Sequence, residues 1–135
     1  MTPLEAEHIV NEYGDVLERT SSMVYGIPET MLPFDRDIIK RAIRVVLVFL
    51  KTNPKTSGEN IAQYIEHLKV GYASLAEFIP VEDARTGAAA NAALLSGDTK
   101  HPGWGLIDRG QEILSENLAR RKALSDELAG FLGSF

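Results

Sequence analysis

The stretch that decides the fold is Arg44–Leu50, RVVLVFL, in which an unbroken apolar run follows one arginine. Valine and phenylalanine favour β-strands, so this stretch could form one. However, no other segment has a convincing strand pattern to pair with it, and a lone strand leaves its backbone groups without partners. We therefore predict a helix that is apolar on nearly every side. Such a helix lies at the centre of a bundle or against a second chain.

The residues around this stretch predict where its helix begins and which face is buried. Asp35 is a good N-cap because its carboxylate can accept a hydrogen bond from the first turn. The predicted buried positions of helix two follow a period near 3.6: Ile38, Ile39, Ala42, Ile43, Val46, Phe49 and Leu50.

Four more helices are predicted from start and stop signals. Thr2, with Pro3 and Glu5 after it, starts helix one, which is expected to end near Met23. Thr56 and Glu59 have the spacing of a capping box and start helix three, and Pro80 ends or kinks it. Gly97 is expected to terminate helix four, and helix five runs from about Leu106 to Leu132.

The core-facing stripes of these four helices have helical spacing. They are Ile9, Tyr13, Val16, Leu17 and Val24; Ile61, Ile65, Leu68, Tyr72, Leu75 and Ile79; Val81, Ala84, Ala88, Ala92 and Leu95; and Ile107, Leu114, Leu118, Leu124, Leu128 and Phe131. The fold class that follows is all-α: a five-helix bundle with mostly antiparallel, up-and-down neighbours and a hydrophobic central helix two. Residues 1–135 are predicted to form one domain.

The amino-acid composition of the chain excludes some classes of function and argues against others. The sequence has no cysteine, which excludes disulfides, thiol catalysis and thiolate metal sites. The net charge of −5 argues against a nucleic-acid partner, since phosphates attract basic surfaces. No apolar run approaches the roughly 20 residues that span a bilayer, and the acidic start does not resemble a signal peptide. These features predict a soluble, cytoplasmic protein without a membrane partner.

Helix two carries a basic stripe in its first half, formed by Arg36, Lys40, Arg41 and Arg44. Such a stripe can meet phosphate, an acidic partner, or carboxylates on a neighbouring helix. Arg44 lies among apolar residues, so we expect it to be partly buried and to require an acceptor.

The loop SGDTKHPGWG, Ser96–Gly105, contains the only tryptophan of the chain. Its glycines permit unusual backbone angles, and Trp104 could close the end of the bundle, which favours a packed corner. The alternative is a ligand or partner site, with Asp98, Lys100, His101 and Trp104 as the candidate residues.

No catalytic residue, metal site or cofactor is predicted. Glu5 and His8 have the Glu-x-x-His spacing of di-iron bundles, but no second such pair exists, so a solvated helix start is the preferred interpretation. Glu66 and His67 are adjacent on a helix and diverge by about 100°, which prevents joint chelation. No phosphate loop, dinucleotide fingerprint or zinc spacing is present.

The leading hypothesis is a protein–protein interaction module that acts as a homodimer. It depends on the apolar helix two, the alanine-rich helix four, and the C-terminal Phe131, Leu132 and Phe135, which need cover. The first alternative is a ligand-binding bundle or small enzyme with a pocket near residues 96–105, lined by Tyr13, Tyr64 or Tyr72. The second is a regulator that contacts nucleic acid through the basic stripe.

Overall fold

The computed structural model describes residues 1–53 and 60–134, and about 78% of it is helical. Five helices pack against their neighbours: α1 (Pro3–Arg19), α2 (Arg36–Thr52), α3 (Ile61–Ser74), α4 (Val81–Ser96) and α5 (Ile107–Gly133). Single 3-10 turns cover Glu29–Met31, Leu75–Glu77 and Trp104–Leu106. The all-α prediction is therefore confirmed.

Three of the predicted helix signals have the expected geometry. The Thr2 hydroxyl accepts a hydrogen bond from the Glu5 amide at 3.1 Å, and the Asp35 carboxylate accepts one from the Asp37 amide at 2.8 Å. Gly97 ends α4 with φ near 65°, a left-handed angle that glycine adopts without strain. The predicted capping box at Thr56 and Glu59, and Phe135, lie outside the described residues.

Helix α2 is central, as predicted. It packs against α1 and α3, and its buried face supplies Ile39, Ala42, Ile43, Val46, Leu47 and Leu50 to the main core. Two predictions within it are wrong: Ile38 and Phe49 are each more than a third exposed, whereas Leu47 is fully buried. The N-terminal residues Pro3 and Leu4 of α1 share a hollow with Phe49 and Leu50, so α1 and α2 run antiparallel.

Two short strands were not predicted. β1 (Ile27–Pro28) and β2 (Phe78–Ile79) pair in parallel, with Ile27 opposite Phe78 and Pro28 opposite Ile79. The pair ties the α1–α2 connection to the end of α3. Two predicted helix ends are also wrong. α1 stops at Arg19 and not near Met23, and α3 gives way to a 3-10 turn before it reaches Ile79.

Helices α4 and α5 pack closely through small residues. A Cβ atom placed on Gly110 would lie 2.7 Å from Ala90 Cβ, so the two backbones approach more closely than larger residues allow. The buried residues of α4 are Ala84, Gly87, Ala90 and Ala93. The predicted stripe was therefore right at Ala84 but wrong for Ala88, Ala92 and Leu95, which are exposed.

The long helix α5 joins both parts of the core. Leu128 lies in the main core with Leu124, Phe131 and Leu132 packed against it, while Ile113 forms a smaller cluster with Ile79 and Ala84. The predicted stripe of α5 was wrong at Leu118, which is 60% exposed, and it omitted the buried Ile113.

Candidate functional site

Besides the hollows around the start of α1 and the end of α2, two further surfaces of the described chain combine exposed apolar residues with a concave shape. The first is the α4 outer face, which we define by Ala88, Ala92 and Leu95. Leu95 is 80% exposed, and the neighbouring Val24 is 65% exposed. Because the opposite side of α4 is buried against α5, this helix is apolar on two sides and only one of them is covered.

A hollow of about 330 Å³ lies between the α4 outer face and residues 22–28, and we call it the α4 hollow. Residues 22–28, which form the other wall of the α4 hollow, are held in place by contacts on their buried side. The Asn117 side chain donates to the Tyr25 carbonyl at 2.9 Å, and Gly26 has a φ of 147°, which L side chains rarely adopt. A Cβ on Gly87 would lie 2.6 Å from Tyr25 Cβ, so Tyr25 packs directly on α4.

The second surface is the α1–α3 groove, a cavity of about 950 Å³ between α1 and α3. Both helices pack on α2, whose Ile43 lines the groove together with Leu68. Tyr13 connects the two walls, because its hydroxyl donates to the Gly71 carbonyl at 2.8 Å. Val70 is 55% exposed within this groove.

The ionisable side chains that line the α1–α3 groove, apart from its tyrosines, are three carboxylates, Asp15, Glu18 and Glu77, and one imidazole, His67. Burial raises the pKa of Tyr13 far above its usual value, and the Glu77 carboxylate adds to the shift. Burial also raises the pKa of Tyr64, with a further contribution from Glu7. Both phenols are therefore neutral hydrogen-bonding groups at physiological pH.

The basic stripe does not form an open cationic surface. Arg36 donates to the Leu75 carbonyl at 2.7 Å and to the Phe78 carbonyl, and it pairs with Glu29 at 3.0 Å. This guanidinium therefore fastens the start of α2 to the turn and strand after α3.

Lys40 and Arg44 both bind Glu127 of α5, at 3.4 and 2.6 Å. Arg41 is the exposed member of the stripe. Of the three interpretations considered for these cations, carboxylates on neighbouring elements fit Arg36, Lys40 and Arg44 best.

Arg44 has the acceptor that its apolar surroundings require. Its guanidinium donates to Glu127 and to the Tyr72 hydroxyl at 2.9 Å, and it stacks over the Tyr72 and Phe131 rings at 5.8 and 5.4 Å. Burial raises the pKa of Tyr72, and the hydrogen bond to Glu127 raises it further. For Glu127, burial alone would raise the pKa, but the Tyr72 hydrogen bond and the charges of Lys40 and Arg44 outweigh it and lower the pKa.

The loop of residues 96–105 is organised by hydrogen bonds within itself. Asp98 accepts from the Lys100 amide at 2.9 Å, and His101 Nδ1 accepts from the Gly103 amide at 3.0 Å. Gly103 is buried against α4, where a Cβ would lie 2.2 Å from the Ala89 carbonyl oxygen. Trp104 is 39% exposed, so it covers the end of the bundle only in part.

The four candidate residues Asp98, Lys100, His101 and Trp104 line neither of the two surfaces described above. Of the tyrosines predicted to line a pocket, Tyr13 and Tyr64 line the α1–α3 groove, whereas Tyr72 is fully buried. A ligand role for the loop stays a prediction.

Among the residues that the structure describes, no three His, Cys, Asp or Glu side chains lie close enough to hold a metal ion. His8 is paired with Glu12 at 3.0 Å on the exposed side of α1, and not with Glu5. Within the same described ranges, no helix has the length and apolar character needed to cross a membrane.

The chain matches no family model, no curated protein and no solved structure.

The sequence did not predict where either surface lies, although it named Tyr13 and Tyr64 as pocket residues. The α1–α3 groove arises from two helices that lie far apart in the chain and share α2 as a support, which a local pattern does not reveal. The α4 outer face was predicted as core, because an alanine-rich helix has apolar residues on every side. The one signal in the sequence was Leu95, because a large apolar residue at the end of an alanine-rich helix needs a covering partner.

Proposed function

We propose that the protein is an interaction module that acts as a homodimer, in which two copies meet through their α4 outer faces. The observation that carries this proposal is the exposure of Leu95 beside the α4 hollow on a helix whose other side is already buried. Exposed apolar residues grouped around a hollow, unlike single exposed residues, often mark an interaction site.

The α4 outer face is suited to a second copy because it carries both a protruding residue and a hollow. In an antiparallel, twofold arrangement centred between Ala88 and Ala92, the partner's Leu95 comes opposite Arg85 and enters the α4 hollow, which Arg85 lines. The same contact forms twice by symmetry. Alanines at the centre allow the helix axes to approach to about 8 Å.

Charge also favours the antiparallel arrangement. Arg85 lies in the N-terminal half of α4 and is exposed. In this arrangement it lies opposite the last turn of the partner's α4, where unsatisfied carbonyl groups form the negative end of the helix dipole. A parallel pair would instead place the two Arg85 side chains beside each other, where they repel.

Sedimentation equilibrium tests the proposal. We expect the molar mass to rise from 14.8 kDa toward twice that value as the concentration increases through the micromolar range. Ala92→Glu places a charge in the centre of the contact and should leave the protein monomeric. Ala123→Glu makes the same change at an exposed position of α5 and should still dimerise. A wild-type monomer at several hundred micromolar would overturn the proposal.

The nucleic-acid alternative has less support, because Arg36, Lys40 and Arg44 are bound to acceptors within the chain. Phosphate would have to compete with carboxylates that are already in place. The ligand-binding alternative near residues 96–105 stays a prediction, and the half-buried His101 and the exposed Trp104 give no specific observation in its favour.

A further inference from the structure

The shape of the α1–α3 groove matches an α-helix better than a compact ligand. Its lining residues extend from Val10 to Glu18 along α1, with Ser21 beyond the helix end, and from Tyr64 to Ser74 along α3, with Glu77 in the turn that follows. At 1.5 Å per residue the helical walls form a trough of about 12–15 Å, or between two and three helical turns. The trough is open to solvent along its length, as the exposure of Val70 and Gly14 indicates.

The walls of the groove permit a close approach of another backbone. Gly14 on α1 and Gly71 on α3 both line it. A Cβ on Gly14 would meet nothing within 4 Å, so there is space directly above the α1 backbone. Val10 and Leu17 lie one turn to either side of Gly14 and are only half-buried, so they leave apolar surface for a partner to cover.

The charges around the α1–α3 groove indicate which charged side chains a partner would bring to it. Three carboxylates and one imidazole, that of His67, line the groove, and α1 as a whole carries five acids against a single arginine. Glu77 is already paired with Arg121 at 2.7 Å, whereas Asp15 and Glu18 lie on the exposed rim of α1. A complementary partner brings lysine or arginine to that rim, which fixes its register and accelerates its association.

We propose that the α1–α3 groove binds an amphipathic helix of a different protein, one that places apolar residues in the trough and basic residues against Asp15 and Glu18. A second copy of this chain is a poor occupant, since its Arg36, Lys40 and Arg44 are engaged internally. Its other basic segment, Arg120–Lys122, lies on α5, a helix with five acids against four basic residues. The groove and the α4 outer face are separate surfaces, so this inference does not depend on dimer formation.

Fluorescence anisotropy with two designed peptides tests the inference. The first is a labelled 18-residue helix with leucine at heptad positions and lysine elsewhere, and the second has glutamate in place of every lysine. We expect the lysine peptide to bind the full chain with a micromolar Kd that weakens as salt is added. The glutamate peptide should bind at least tenfold more weakly.

Matched variants locate the binding site. Gly14→Leu should fill the trough and weaken binding of the lysine peptide at least tenfold, while the better helix propensity of leucine preserves the fold. Gly130→Leu makes the same change on α5, where a Cβ also meets nothing within 4 Å, and should leave binding unchanged. Asp15→Asn with Glu18→Gln should weaken binding threefold to tenfold and reduce its salt dependence.

Amide shift mapping on the wild-type chain completes the test without a variant. Shifts concentrated in residues 10–21 and 64–77 on addition of the lysine peptide support the inference. It is overturned if the two peptides bind equally, if Gly14→Leu and Gly130→Leu bind the lysine peptide equally, or if no binding is seen at millimolar peptide. Concentration-dependent shifts at these residues without peptide would instead place a second copy in the groove and overturn it as well.

Discussion

Arg44 is held by three kinds of contact at the junction of α2, α3 and α5. Glu127 supplies the opposite charge, the Tyr72 hydroxyl accepts a hydrogen bond, and the Tyr72 and Phe131 rings cover the guanidinium faces. Its Nε is buried and has no hydrogen-bond partner among the described atoms. Glu127, which lies 83 residues away in the chain, supplies the negative charge that helps to offset the desolvation cost of Arg44.

Removing the charge of Glu127 should destabilise the fold. In Glu127→Gln the amide retains the size and an acceptor, but Lys40 and Arg44 lose their shared counter-charge. Because the Arg44 and Glu127 side chains are both more than a third exposed, solvent screening limits the loss to about 1–2 kcal/mol at pH 7. Urea unfolding measures it, and the exposed neighbour Asp126 provides the control: Asp126→Asn should change stability by less than about 0.5 kcal/mol.

The stability difference between the wild type and Glu127→Gln should also depend on pH, and the direction of this dependence follows from the pKa of Glu127. The pKa of Glu127 is lowered from 4.5, so the folded state favours the ionised carboxylate. Its stabilisation is present above about pH 4.5 and is lost as the pH falls through the lowered pKa. The stability difference between the wild type and Glu127→Gln should therefore disappear in acid. A difference that stays constant down to pH 2 would contradict this account.

The positions where helices start were easier to predict from the sequence than the faces that the helices bury. Thr2 and Asp35 act within one turn of their own position, so a local pattern identifies them. The buried face of α4 is different, because alanine or glycine occupies most positions from Ala84 to Ala93 and hydrophobic periodicity cannot distinguish one side from another. The choice between sides is made by Tyr25 and Gly110, which come from distant parts of the chain.

The closeness of α4 and α5 leads to a prediction about two glycines of the same helix. Gly110→Ala places a methyl group 2.7 Å from Ala90 Cβ, and neither atom can move without its backbone. We expect a loss of about 1–3 kcal/mol in thermal or urea unfolding. Gly130→Ala has no contact within 4 Å and should instead stabilise the helix by up to about 1 kcal/mol. Equal effects of the two substitutions would show that the α4–α5 contact is looser than described.

The fold as a whole places α2 at the centre and leaves α4 at the surface. The sequence predicted five helices and the central position of α2, because its apolar stretch is too long for an exposed helix. It did not predict the β1–β2 pair, since a two-residue parallel ladder has no periodicity. Nor did it predict that the side of α4 with Ala88, Ala92 and Leu95 would be exposed, since these residues were assigned to the core.

Cysteine cross-linking tests whether two copies meet through α4, because the chain contains no cysteine of its own. In the antiparallel arrangement Ala88 lies opposite the partner's Ala92, within disulfide distance. A mixture of Ala88→Cys and Ala92→Cys chains should therefore form a cross-linked heterodimer much faster than either variant forms a cross-linked homodimer. If this mixture cross-links no faster than a mixture of Ala119→Cys and Ala123→Cys, which lie on the exposed side of α5, the α4 outer face is not where the copies meet.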